Sequence, residues 1–262
     1  MKNNYYQISA FSNERFKGNQ AGVLILESWL RSELMQKIAK ENQLAETAFI
    51  VPVENIFEIR WFTPTYEIDL CGHATLTSAW VIFNQLNYDE EEIIFQSHKS
   101  GEHRAKQLDN GRIQLNFPSR LGKRIEIPAD VEKAFGPKPL EAYQSRDMLL
   151  IFDNEETIKS LKPKTEFFQS WETLGVICSA RGNQSDFVSR VFDANDFGVE
   201  DPVTGSAHCT SVPYWSMILG KDKLYAKQLS ERTGELFCEL TEGRVLIAGD
   251  CQLHLSGRLR IE

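Results

Sequence analysis

The strongest constraint on this chain is a motif that occurs twice. The first copy runs Glu67-Ile68-Asp69-Leu70-Cys71-Gly72-His73-Ala74, the second Glu200-Asp201-Pro202-Val203-Thr204-Gly205-Ser206-Ala207. Each sets a Glu five residues before a Gly, follows the Gly with one polar residue and an Ala, and opens an apolar run. The glycines are 205 − 72 = 133 residues apart, close to half of the 262-residue chain. A unit repeated at half-chain spacing predicts two similar domains, 1–118 and 119–262, facing across a cleft lined by the two turns. The last strand is free to cross back to the first domain.

The intervening pattern fills these domains with strands. Short runs such as Tyr5 to Phe11, Ala21 to Leu26, Glu46 to Val51 and Phe57 to Phe62 carry strand chemistry. Asn110-Gly111 is a hairpin turn signal. In the second half Met148 to Phe152, Leu174 to Ser179, Phe187 to Phe192 and three closing runs from Phe237 onward read the same way. Three helices are expected. Trp29 to Lys40 has Leu30, Leu34 and Ile38 four apart with Ser28 as a cap. The runs after Gly72 and Gly205 are apolar on most faces, which predicts burial nearly all round. Pro213 removes a backbone donor inside the second run, so that helix should kink or start late. The expectation is an α+β fold of two pseudo-symmetric domains, each a curved, mostly antiparallel sheet wrapped around a central apolar helix.

The two turns are also where chemistry is expected. The first amides of a helix have no internal partner and carry partial positive charge. Gly72-His73-Ala74 and Gly205-Ser206-Ala207 would let a carboxylate approach those amides closely. The same residues also suit ordinary helix starts. His73 can exchange protons near neutral pH or simply cap a helix. Asp201 can orient a partner or serve as a turn residue before Pro202. Glu46 lies where a helix gives way to an apolar strand. Facing a cleft it would be desolvated and able to shuttle a proton, and facing water it would be a plain helix-end Glu. Cys71 precedes the first Gly, but Thr204 holds the matching place in the second copy. A threonine hydroxyl cannot act as a thiolate-like base, so inversion by a cysteine pair is disfavoured.

Composition removes other classes. A net charge of −8 argues against a nucleic-acid partner. No apolar stretch approaches the ~20 residues that span a bilayer, and the N-terminus offers no signal-peptide core. Five scattered cysteines without a Cys-x-x-Cys pair indicate free thiols and a cytoplasmic protein. There is no dinucleotide or phosphate-loop motif, and the five histidines lack metal-ligand spacing, so neither cofactor nor metal is expected.

Five ordered segments carry a resemblance: Phe16-Lys17-Gly18-Asn19-Gln20-Ala21-Gly22-Val23, Ala45-Glu46-Thr47-Ala48-Phe49, Arg60-Trp61-Phe62-Thr63-Pro64, Leu70-Cys71-Gly72-His73-Ala74-Thr75 and the Glu200–Ala207 motif. Together they resemble the PhzF family of phenazine-biosynthesis-like isomerases over essentially the whole chain. Thr233 departs from that pattern, standing where Gly is frequent, as does Pro213. The resemblance implies a diaminopimelate-epimerase-like fold, a homodimer and cofactor-free proton transfer. By motif position it makes Glu46 the catalytic acid/base and His73, Asp201 and Ser206 the supporting polar groups at the substrate. The expected function is an isomerase that moves a proton within a small carboxylate, cyclic ones included, held by Gly72, His73, Ala74, Gly205, Ser206 and Ala207. A racemase or epimerase of a small amino or hydroxy acid, or a carboxylate-binding protein without catalysis, are the alternatives.

Overall fold

The computed structural model describes residues 3–86, 88–194 and 199–261. The chain forms two compact units, Met1–Asn116 with Ala248–Glu262, and Phe117–Ile247. The first contains β1 (Asn4–Ala10), β2 (Asn19–Ile25), α1 (Ser32–Asn42), β3 (Glu46–Val53), β4 (Ile56–Phe62), β5 (Glu67–Ile68), α2 (Gly72–Gln85), β6 (Glu92–Ser97), β7 (Gly101–Gln107) and β8 (Ile113–Pro118). The second contains β9 (Lys123–Ile125), α3 (Val131–Phe135), β10 (Glu141–Gln144), β11 (Met148–Ile151), α4 (Glu155–Ser160), a 3-10 turn (Thr165–Ser170), β12 (Gly175–Arg181), β13 (Phe187–Asp193), β14 (Glu200–Asp201), α5 (Gly205–Leu219), β15 (Lys223–Gln228), β16 (Gly234–Thr241) and β17 (Arg244–Gly249). Strand β18 (Cys251–Arg258) returns to the first unit and pairs antiparallel with β1.

The two units repeat one wiring pattern. In the first, β2 and β3 are parallel, β3 and β4 antiparallel, β4 and β6 parallel, and β6 and β7 antiparallel. In the second, the same relations join β11 to β12, β12 to β13, β13 to β15 and β15 to β16. The short elements β5, β9, β10, α3 and α4 have no counterpart in the sequence reading. Runs of two to six residues are too short for a period to declare itself.

The central helices form for a packing reason. In α2 every residue from His73 to Ala79 is buried, with Val81 and Ile82. Fully burying a Leu, Val or Ile stabilises by about 1.5–3 kcal/mol, so Leu76, Val81 and Ile82 outweigh the modest helix propensity of the Thr and Ser between them. Those hydroxyls are satisfied locally: Thr75 Oγ1 donates to Cys71 O at 2.6 Å and Ser78 Oγ to Ala74 O at 2.6 Å. Helix α5 is buried from Ala207 to Ser216 and ends at Gly220, which adopts the left-handed backbone that stops a helix.

Two local expectations are corrected. Helix α1 begins after Arg31 rather than at a Ser28 cap, because Trp29 is drawn away to donate to Glu58 Oε2 at 2.6 Å. Helix α5 does not start late: Pro213 lies inside a helix that begins at Gly205. A proline here leaves the carbonyl four residues back, that of Cys209, without its helical donor. The backbone N–H of Arg120 supplies the missing bond to Cys209 O at 2.9 Å. The fold thus tolerates the proline by satisfying the orphan it creates.

Candidate active site

The duplicated Glu turns out to be an anchor. Arg60 on β4 grips Glu67 through two hydrogen bonds of 2.7 Å, and Arg190 on β13 grips Glu200 through bonds of 2.7 and 2.8 Å. Each guanidinium also lies over a phenylalanine two residues on, Phe62 at 5.2 Å and Phe192 at 5.3 Å. Each Glu sits opposite that same Phe in the sheet register. A bidentate, stacked Arg–Glu pair fixes the two-residue strand that aims the chain into the Gly turn.

Beyond the turns come the starts of the two central helices. The N-cap of α2 is Cys71 and that of α5 is Thr204, both extended, and neither makes a side-chain capping bond. Neither first turn carries an acidic residue. Each start therefore presents backbone N–H groups able to accept an anion.

In the first unit Glu46, at the start of β3, meets His73, second residue of α2. Their Oε2 and Nε2 atoms are 2.9 Å apart, with side chains 17% and 9% exposed. The ring N–H is close but not aligned: Oε2 is buried and has no geometrically satisfied hydrogen bond, so the contact is mainly ionic. Cys71 Sγ lies 3.4 Å from His73 Nδ1, and Asn19 Nδ2 lies 3.4 Å from the same nitrogen. Burial alone would push the His73 imidazole down; Cys71 and Glu46 beside it reverse this and hold it well above its usual range. Burial, reinforced by Glu46, pushes the Cys71 thiol up.

In the second unit Asp201 accepts the Thr204 hydroxyl, and Ser206 accepts a bond of 3.1 Å from Arg146, which is itself paired with buried Asp147 at 2.8 Å. Fully buried Gln228 clamps the turn: it accepts from Thr204 N at 2.8 Å and donates to Asp201 O at 2.7 Å. The sheet register also identifies the counterpart of Glu46 in the second copy. Thr47 pairs with Phe62 as Val176 pairs with Phe192, so Glu46 corresponds to Gly175. A Cβ at Gly175 would lie 3.3 Å from Asp147 Oδ1, which leaves little room for a side chain. Gly175, Thr204 and Ser206 thus replace Glu46, Cys71 and His73 in the second copy.

Glu46 and His73 are brought together as a pair, while Asp201 ends β14 and Ser206 lies in the first turn of α5. Gly72, Ala74, Gly205 and Ala207 fall in the first turns of the two central helices. The sequence reading passed over Asn19, Arg146, Asp147 and Gln228 as site residues. Asn19 stood within a resembling segment with no role attached, and nothing local marks the other three. Among the described residues, no helix is long and apolar enough to cross a membrane.

The chain matches the family described as phenazine biosynthesis-like protein, PhzC-PhzF, over residues 8–257. It is 44% identical to an uncharacterized isomerase of Pseudomonas aeruginosa, with 100% of both chains covered. It superposes with a TM-score of 0.95 on the crystal structure of a PhzF-family phenazine biosynthesis protein from Enterococcus faecalis, at 43% identity over 98% of each chain. A probable proline racemase from Agrobacterium radiobacter, 9% identical with a TM-score of 0.63 over 99% of this chain and 93% of its own, shares the fold alone. Fold and relatives together define an α+β isomerase of the epimerase-like architecture. The chain belongs to the PhzC-PhzF family of phenazine biosynthesis-like proteins.

Proposed function

We propose that the protein shifts a proton between carbons of a small carboxylate, with Glu46 as its single acid/base. The observation that carries this reading is the one-sidedness of the duplicated site. One copy gathers Glu46, His73 and Cys71; the other has Gly175, Ser206 and Thr204 in the matching places. Inversion at carbon needs a proton donor and an acceptor on opposite faces, whereas one carboxylate can remove a proton and return it on the same face. The His73 imidazolium orients Glu46 and stabilises negative charge as it develops on the substrate. The open amides at Gly72 and Gly205, with Ala74 and Ala207 keeping the approach clear, hold the anionic group. Asp201 and Ser206 position the remainder of the substrate. In this reading the enzyme works without a cofactor as a cytoplasmic homodimer.

The test is a panel of small carboxylates, cyclic ones included, incubated with the enzyme and followed by NMR in deuterated buffer. A turned-over substrate should show hydrogen moved to a second carbon. Glu46→Gln should lower that rate by about 10³-fold, within the ~10²–10⁴ that a positioned acid/base supplies, in a protein that still unfolds cooperatively. Near-normal turnover in the variant removes Glu46 from the mechanism. Loss of configuration at a single carbon, with no positional shift, would replace isomerisation by epimerisation.

A further inference from the structure

Glu46, Cys71 and His73 each offer one ligand atom, and these atoms all lie within 4.8 Å of one another, the one such group found among the described residues. We propose that this cluster binds a zinc-class divalent cation, and that the bound cation withdraws Glu46 from proton transfer. Metal binding stands on the geometry alone; the loss of proton transfer rests on the role given to Glu46 above.

The donor set is one thiol, one imidazole and one carboxylate, the mixture that borderline-soft zinc prefers. Tetrahedral zinc with bonds of about 2.0–2.3 Å sets its ligand atoms roughly 3.3–3.6 Å apart. Here Oε2 and Nε2 are 2.9 Å apart and Nε2 and Sγ are 4.0 Å apart, values that bracket that spacing. Cys71 Sγ also lies 3.4 Å from Nδ1, so a turn of the imidazole ring and side-chain adjustments on the order of 1 Å bring the three donors to one centre. The backbone beneath them is rigid, since Glu46 starts a strand and Cys71 and His73 start a buried helix.

Glu46 Oε2 is buried with no aligned hydrogen bond, so it holds an unused lone pair inside the cluster. Thiolate and carboxylate together neutralise a divalent cation. A fourth position remains for water. The Asn19 amide beside His73 Nδ1 is placed to orient the ring. The partial exposure of Glu46 gives the ion its access. Histidine spacing could not have disclosed this site. Its ligands are a Cys-Gly-His step and a carboxylate 71 − 46 = 25 residues upstream, joined only by the packing of α2 against β3.

The experiment is a cobalt titration of the reduced full-length protein, followed by zinc displacement against a chromophoric chelator. One equivalent of Co²⁺ should produce tetrahedral visible bands and a thiolate-to-cobalt charge-transfer band, both abolished by one equivalent of Zn²⁺. Cys71→Ser should remove the charge-transfer band and weaken zinc binding at least about 100-fold, beyond the ~10–100-fold of second-sphere changes. Cys71→Ala serves if the serine variant does not fold. Cys251→Ser, which alters the only thiol that is not buried, should leave the band unchanged. No stoichiometric band in the wild type, a band that survives Cys71→Ser, or one lost in Cys251→Ser overturns the site. Glu46→Gln should weaken zinc binding at least about tenfold. Unchanged affinity there overturns the claim that the metal engages Glu46, whatever the turnover measurements show.

Discussion

The two helix starts carry histidines that titrate in opposite directions, and the one in α5 gives the sharpest test of the structure. His208 is fully buried; its Nδ1 lies 2.9 Å from Thr204 O and its ring 5.7 Å from that of Phe187. Burial depresses its pKa from 6.5 to about 4, against a small opposing pull from the Thr204 carbonyl. The unfolded chain therefore binds a proton on His208 below about pH 6.5 while the folded chain refuses it until about pH 4. Stability from this residue is complete above pH 6.5 and is lost as the pH falls. The whole difference of 6.5 − 4 = 2.5 units corresponds to about 3.4 kcal/mol at 1.36 kcal/mol per unit, of which roughly 2.5 kcal/mol is gone by about pH 4.5. His208→Asn keeps a donor for the Thr204 carbonyl and removes the titration. Urea denaturation of both proteins at about pH 7 and 4.5 should show the wild type losing roughly 2.5 kcal/mol more than the variant. Parallel pH profiles for the two would refute the burial argument. Carboxylate titration elsewhere is common to both and cancels in the comparison.

Four further outcomes are expected. His73 behaves inversely: its raised pKa contributes stability that is complete below about pH 6.5 and disappears as the pH climbs through the folded value, so His73→Gln should flatten the alkaline limb of a melting-temperature profile. Arg190→Met should cost about 2–3 kcal/mol in denaturant titration, since it leaves the half-buried Glu200 without its bidentate partner, and Arg60→Met should do the same to Glu67. Thr233 has φ of 54° in a region that disfavours β-branched residues, so Thr233→Gly should stabilise by about 0.5–1 kcal/mol in denaturant titration, and a loss of stability would refute the strain argument. Gly18 has φ of 72° and a Cβ there would fall 2.3 Å from Ala10 O; Gly18→Ala should lower the melting temperature by several degrees and shift the His73 imidazole resonances through displaced Asn19.

The architecture was largely legible because repetition and apolar periodicity are linear signals. The motif copies, the two buried helices and the strand that starts at Glu46 follow from residue order. The role of the repeated Glu was not legible. Arg60 precedes Glu67 by seven residues and Arg190 precedes Glu200 by ten, so no shared spacing links each pair. Pro213 read as a helix defect because its compensating donor, Arg120, is 93 residues upstream (213 − 120).

What the sequence determined by itself is where helices and strands begin, since caps, turns and hydrophobic periods act over a few residues. It also placed a carboxylate, an imidazole and a thiol at element starts, where backbone geometry holds side chains firmly. Only the tertiary structure decided which of these meet. The 2.9 Å approach of Glu46 to His73, and the glycine that holds the equivalent place at Gly175 in the second copy, depend on strand register and on α2 packing against β3. Such contacts arise from burial of apolar surface across long sequence separations, and no local pattern encodes their distances.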